Sequence, residues 1–341
     1  MTQYVGLDVS MKETSVCVLD ENGKVVWEGK VVSEPDAIVR ALRRHAPEVE
    51  KVGLETGPTS TWLWHELRAA GVAVVCLDAR HAQAALSMRL NKTDRNDAAG
   101  LAQLVRMGWY REVQVKQLSA HGDGALLASR ALVVRQRCEL ENQIRGLLKN
   151  FGLRARVTKG RAFEQSVRAL AARNGVLLNV VTPLLAVWSA MCMQIAVLSR
   201  SVQLRTKNDA ACQRLMTMPG VGPMTALAFR AAVDDPARFK HSASVGAYLG
   251  LTPRRYSSGE IDRMGRISRC GDPLARSYLF EAANIMLVRS RASNPLKNWG
   301  TRLAKRAGFK KARVALARKM AVVLHRMWAD GTDFGELKAV V

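Results

Sequence analysis

Four carboxylates in the first hundred residues have the types and settings that metal-assisted phosphoryl chemistry needs. They are Asp8 in YVGLDVS, Glu55 in KVGLETG, and Asp94 and Asp97 in KTDRND. Asp8 and Glu55 each end a short apolar run of strand type. Asp94 and Asp97 stand three residues apart, on one face if the segment is helical. Carboxylates gathered without basic partners repel one another, and a hard divalent cation such as Mg²⁺ relieves that repulsion. In a strongly basic chain this points to metal-dependent work on phosphodiesters. Asp78 also follows an apolar strand and competes for a place in the cluster.

A second group of residues lies far downstream. Thr252-Pro253-Arg254-Arg255-Tyr256-Ser257-Ser258-Gly259 sets two arginines beside a Ser-Gly turn, and Arg263, Arg266 and Arg269 follow. Arginine clusters suit bidentate recognition of phosphate. A serine among them is a candidate nucleophile at phosphorus, with guanidinium groups to stabilise developing charge. Serines in glycine-containing turns are also common without any such role. Upstream, the PGVG turn at Pro219–Gly222 separates two apolar helical stretches and resembles a helix-hairpin-helix. Gly220 and Gly222 would let it approach a phosphate, and the following helix would offer its N-terminal N–H groups. An ordinary helix–helix turn reads the same way. The tail Gly308–Trp328 is a basic amphipathic helix, which fits a solvated face or a backbone contact to nucleic acid equally well.

The elements that must position these residues follow from periodicity. Strands are expected at 3–8, 14–20, Val25–Val32, 51–55 and Val72–Leu77, with Asn22-Gly23 as a hairpin turn. Helices are expected at 34–45, 60–70 and 94–107, the last with Asp94 and Asp97 in its first turn, where negative charge suits the helix dipole. This β-β-β-α-β-α-β-α order matches an RNase H-like α/β fold, in which the first and fourth strands are parallel neighbours. Residues 115–124 read as a linker. Leu126, Val133, Leu140, Ile144, Leu147 and Phe151 have mostly heptad spacing, as do Leu184, Trp188, Met191, Ile195, Leu198 and Val202, which predicts an antiparallel coiled-coil hairpin. The basic stretch Arg154–Arg161 interrupts it. The expected organisation is a catalytic α/β domain at 1–114, a helical assembly region at 115–205 and a mostly α-helical domain at 206–341.

Charge divides along the same lines. Of 341 residues, the first 112 hold 14 Lys+Arg and 15 Asp+Glu, while residues 113–341 hold 38 and 14. A surface that basic implies a polyanion, most simply nucleic acid, engaged mainly by the back of the chain. The six cysteines form no CxxC pair and have no histidine at metal-ligand spacing, which fits a reducing cytoplasm. Gly175–Ser199 carries no charge and is long enough to span a bilayer. Its polar interruptions and heptad seam favour a buried helix over a membrane span.

The chain resembles a known family, the DEDD transposases of the IS-one-ten family of insertion sequences, to which the pilin-gene inverting recombinases are related. The motifs are GLDVS, LETGP and NKTDRNDA in front, and MPGVGPMTA, AYLGLTPRRYSSG and GRISRCGDPLARSYLFEAA behind. The resemblance implies a RuvC-like domain whose Asp8, Glu55, Asp94 and Asp97 hold Mg²⁺. It implies a coiled coil used in assembly, and a transposase domain whose essential serine is Ser258, with Ser257 as its neighbour. It further implies a covalent phosphoserine intermediate, homodimers and homotetramers with shared sites, and donor and target DNA as substrates, paired in some members with a noncoding bridge RNA. Two rivals remain at this point: a RuvC-like junction nuclease using metal-activated water, and a non-catalytic architectural nucleic-acid-binding protein.

Overall fold

In the computed structural model, which describes residues 2–87, 93–155, 160–291 and 293–336, three segments rich in valine form an antiparallel meander. They are β1 (Gln3–Val9), β2 (Glu13–Asp20) and β3 (Val25–Val32). After α1 (Pro35–His45) comes β4 (Val49–Glu55), which pairs parallel to β1. After α2 (Ser60–Ala69) comes β5 (Val74–Leu77), parallel to β4. The sheet order β3-β2-β1-β4-β5 is the expected RNase H-like order. Two further helices follow, α3 (Ala79–Leu86) and α4 (Asp94–Arg106). Asn91 and Lys92 of the NKTDRNDA motif, residues 156–159 and residues 337–341 lie outside the described residues.

The two faces of the sheet are covered by different helices, and strand alternation decides which residue meets which. Val5, Leu7, Val16, Val18, Val52 and Leu54 pack with Ile38 and Leu42 of α1 and Leu63 and Leu67 of α2. On the other face, Cys17 and Leu19 pack with Ala98 and Ala102 of α4. α3 was not legible in the periodicity. It has eight residues, is largely alanine, and buries only Ala82; its start is fixed by Asp78, whose carboxylate accepts the Arg80 amide at 2.9 Å.

The chain divides into two compact units, Met1–Leu118 and Ser119–Val341, so the helical middle expected at 115–205 falls mostly in the second. That unit begins with α5 (Leu118–Asn150), then α6 (Arg161–Ala171) and α7 (Gly175–Lys207). Helix α5 starts at Leu118, which corrects the expected linker at 115–124. Glycines 122 and 124 suggested a break there, but Asp123 between them is buried and paired with Arg205 and Arg230. α5 and α7 run antiparallel. Arg205 reaches Asp123, Arg130 donates to Ser199 Oγ at 2.8 Å, and Trp188 donates to Glu141 at 2.9 Å. The α7 seam is as expected, with Trp188 and Val202 buried; on α5 it is shifted, with Leu148 buried while Phe151 is exposed. α6 is a separate helix that places Phe163, Val167 and Ala171 over the far end of the pair.

By length and composition α7 could cross a membrane, with a mean hydropathy of 1.9 over its most apolar window. Its antiparallel partner α5 carries Arg130, Arg135, Arg137, Glu139, Glu141 and Arg145 along its length, charges of a kind rare in helices that face lipid.

The rest of the unit is a helical cluster around the α13 helix (Phe309–Asp330). It comprises α8 (Ala210–Met216), α9 (Pro223–Val233), α10 (Ala243–Tyr248), α11 (Pro273–Val288) and α12 (Pro295–Ala307). Leu316, Met320, Leu324 and Met327 of α13 share one core with Phe229 of α9 and Leu279 and Met286 of α11. A two-stranded hairpin, β6 (Pro253–Ser258) and β7 (Ile261–Ile267), projects from this cluster.

Candidate active site and nucleic-acid interface

The parallel register of β1 and β4 runs to Leu7 opposite Leu54, so the next residues, Asp8 and Glu55, stand side by side at the carboxyl ends of neighbouring strands. Both lie on the α4 face. Gly6 and Gly53, two residues earlier in each strand, are the positions over which α4 sits. A Cβ at Gly6 would fall on the Ala98 carbonyl and the Ala102 amide, and one at Gly53 would fall on Val105. The bare glycine surface lets the helix approach at backbone distance.

α4 begins at a threonine cap. Thr93 Oγ1 accepts the Asn96 amide at 3.2 Å, which fixes the first turn that carries Asp94 and Asp97. Asp97 stands one turn before Leu101, on the buried side of the helix. Asp94 turns to the opposite sheet edge, where Lys30 of β3 meets it at 3.3 Å. Arg95 pairs with Glu28 of the same strand. Asp78, the sequence rival, is spent on capping α3. Among the described residues, no three His, Cys, Asp or Glu side chains converge closely enough to hold a metal ion. The donors are all carboxylates, as Mg²⁺ prefers. The fold gathers Asp8, Glu55 and the first turn of α4 on one face, and leaves Asp94 engaged elsewhere. Lys30 and Glu28 carry no sequence signal, since only strand order brings β3 beside the start of α4.

In the second unit, Ser258 ends β6 and pairs with Ile261 across a two-residue turn, Gly259-Glu260. Gly259 has φ of 55°, the left-handed region, so the glycine after the serine is a requirement of the turn. Paired residues of an antiparallel ribbon share a face. Ser258 therefore shares its face with Tyr256, Arg254 and Arg263. Ser257 lies on the other face with Arg255 and Asp262. Arg255 holds Asp262 through two bonds of 2.8 Å, which keep its guanidinium above its ordinary pKa and commit it locally. The hairpin is exposed from end to end. Ser258 stands exposed at the tip of the hairpin. Arg254 bonds the Ser268 carbonyl at 3.3 Å; Arg266 and Arg269 flank the base of the hairpin.

The two glycines of the PGVG turn separate. Gly220, at φ of 89°, packs on α11, where a Cβ would lie 2.5 Å from the Ala282 carbonyl. Its closeness is to protein. Gly222 caps α9 and faces open space.

Comparison with known proteins fits this geometry. The IS110 DEDD transposase model, described as "Transposase", matches residues 5–152, and the model "Transposase IS116/IS110/IS902 family" matches residues 212–298. The chain belongs to the IS110 family of transposases. Similar relatives include the "Transposase for insertion sequence element IS1111A" of Coxiella burnetii, 29% identical over 96% of this chain and 89% of that one. The "Probable family 20 transposase" of Pseudomonas aeruginosa is 29% identical over 95% of both chains. Among solved structures, "Thermus thermophilus RuvC structure" is similar at 14% identity over 33% of this chain and 99% of that one, with a TM-score of 0.27. This IS110-family member is a DNA-cleaving and rejoining transposase with a DEDD transposase domain in front.

Proposed function

We propose that the protein cuts and rejoins donor and target DNA with Mg²⁺ held by Asp8, Glu55, Asp97 and Asp94, and with Ser258 as nucleophile. The observation that carries the metal half is the side-by-side placement of Asp8 and Glu55 under the first turn of α4. A bound divalent cation there would neutralise charge on the scissile phosphate. The carboxylates orient it, and Asp94 joins them by leaving Lys30. Support for the serine half is its place at an exposed tip, on the face that carries Arg254 and Arg263. In the proposed step Ser258 Oγ bonds to phosphorus and loses its proton to solvent. The P–O bond to the leaving strand breaks, and that strand's oxygen takes up a proton. The new phosphoserine link conserves the bond energy for rejoining.

The carboxylate pair at the ends of β1 and β4 also fits a second reading, hydrolysis by activated water as in a junction nuclease. One experiment separates them. A denaturation-resistant protein–DNA adduct is expected with the wild type and not with Ser258→Ala, while Ser257→Ala retains it. If Ser258→Ala still joins strands and Asp8→Ala does not, the serine mechanism is wrong.

A bridge RNA would supply sequence readout to a protein that shows no base-reading helix-turn-helix in its sequence, the division of labour used by guided nucleases. Sequencing of RNA that copurifies with the protein tests this; recovery of no specific RNA refutes it. Assembly as a homodimer or homotetramer would use the hairpin. Val180, Val187, Val197 and Leu204 stay exposed on α7 outside its seam, and light scattering reads the resulting mass. Its DNA substrate places the work in the cytoplasm.

A further inference from the structure

A groove of about 1470 Å³ lies within the second unit, between the base of the β6–β7 hairpin and α13. It exceeds the ~300–1,000 Å³ that one small ligand fills. Its rim carries Arg266, Arg269, Lys310, Lys311, Arg318 and Lys319, and among the described residues no acid lines it. Its floor is apolar, with Leu251, Ile267, Val314 and Val322; Trp299 forms one wall, with the Lys319 ammonium 4.3 Å from its ring centre, where a base would have to displace it or stack on the other face. Cations at this density repel unless an anion lies among them. An apolar floor beneath them gains nothing from a duplex, whose bases are hidden between the strands. It gains from a strand whose base faces are bare.

Backbone strain marks the same place. Arg269 is left-handed, with φ of 57°, in a segment where Gly250 and Gly271 adopt the same conformation at 68° and 69°. Its amide donates to the Gly250 carbonyl at 3.1 Å. A glycine would take this conformation without strain, so the arginine side chain is what the position supplies.

We propose that this groove binds an unpaired nucleic-acid strand, with phosphates on the basic rim and base faces on the apolar floor and Trp299. The proposal rests on the reading of the protein as a DNA recombinase and names a strand-binding surface separate from the serine at the hairpin tip.

The test is fluorescence anisotropy on the full chain, with labelled oligo-dT, oligo-U and a duplex of equal length. Trp299→Ala should weaken single-strand binding roughly 5- to 150-fold, the range for loss of one stacked base, and leave duplex affinity unchanged. Lys310→Ala with Lys311→Ala should lower the slope of log affinity against log salt by about 1.4. Arg269→Gly relieves the backbone, so it should melt no lower than wild type and still lose strand affinity; a purely structural Arg269 would show no such loss. Equal losses on oligo-dT and oligo-U support a site for either strand, and a loss confined to one identifies which strand the groove holds. Variants that bind strands like the wild type overturn the groove proposal and leave the recombinase reading standing. A wild type that binds no nucleic acid overturns both. Photocrosslinks from Trp299 that recover a peptide of this chain or of a second copy, rather than an oligonucleotide, also overturn it.

Discussion

Replacing Gly6 with alanine tests whether close packing of α4 on the sheet sets up the carboxylate site. The added Cβ would fall inside 3.0 Å of the Ala98 carbonyl oxygen and the Ala102 amide, a separation real Cβ atoms essentially never show. Both obstacles are backbone, so no side chain can rotate away. Ordinary contact begins at 3.4 Å, and the Cβ would lie so far inside that limit that the helix must withdraw by about 1 Å. Overpacking of this kind costs about 1–3 kcal/mol. The functional cost is separate, because the helix that withdraws carries Asp94 and Asp97. Misplacement by 1 Å costs about 100-fold in rate, so a withdrawal of that size predicts about a hundredfold loss of strand cleavage. Gly53→Ala is the control. Its Cβ meets the Val105 side chain, at the other end of the helix, and that side chain can turn. Thermal unfolding, divalent-cation titration and cleavage of a donor DNA should be measured on both. Gly6→Ala with wild-type melting, metal affinity and cleavage would refute the reasoning.

Other perturbations follow from buried charge and buried thiols. Asp123, only 7% exposed, holds Arg205 and Arg230, and Arg230 also holds Asp209 at 2.6 Å. Asp123→Ala should cost about 3 kcal/mol, at the low end for a broken buried pair because Arg230 keeps Asp209; a denaturation midpoint unchanged from wild type would contradict this. Burial pushes the Cys76 thiol up from 9.0 to about 11. A proton held more tightly in the folded state stabilises it below the unfolded pKa, and that stability is lost as pH rises through about 11. Cys76→Ala should therefore flatten the alkaline limb of stability against pH. Burial raises Cys212 likewise, so native alkylation near pH 8 should mark exposed Cys138 first, as peptide mapping would show.

Much of the front unit was legible because its signals are local. Asp8 and Glu55 follow apolar strands, and Asp94 and Asp97 open a periodic helix; the role of Gly6 and Gly53 beneath that helix emerged only from the fold. The pairing of Asp94 with Lys30 was not legible, because it depends on strand order placing β3 next to the start of α4. The start of α5 misled for the opposite reason: its glycines argue for a break, and a buried aspartate between two arginines overrides them. On the hairpin, spacing alone left two serines and five arginines alike, and only the family resemblance pointed to Ser258. The ladder register puts the two serines on opposite faces, since a single-residue step changes the face of every side chain.

The α5–α7 pair has a consequence for how this protein can change over time. Its polar cross-links cluster at definite heights along the arms, and between them the seam repeats every seven residues. Loss or gain of one heptad from both arms together would preserve that seam and alter the reach of the hairpin by about 10 Å. Loss from one arm alone would unseat Trp188 from Glu141 and Ser199 from Arg130 at once. Length in this family should therefore drift in matched steps, with the arms behaving as a single inherited ruler.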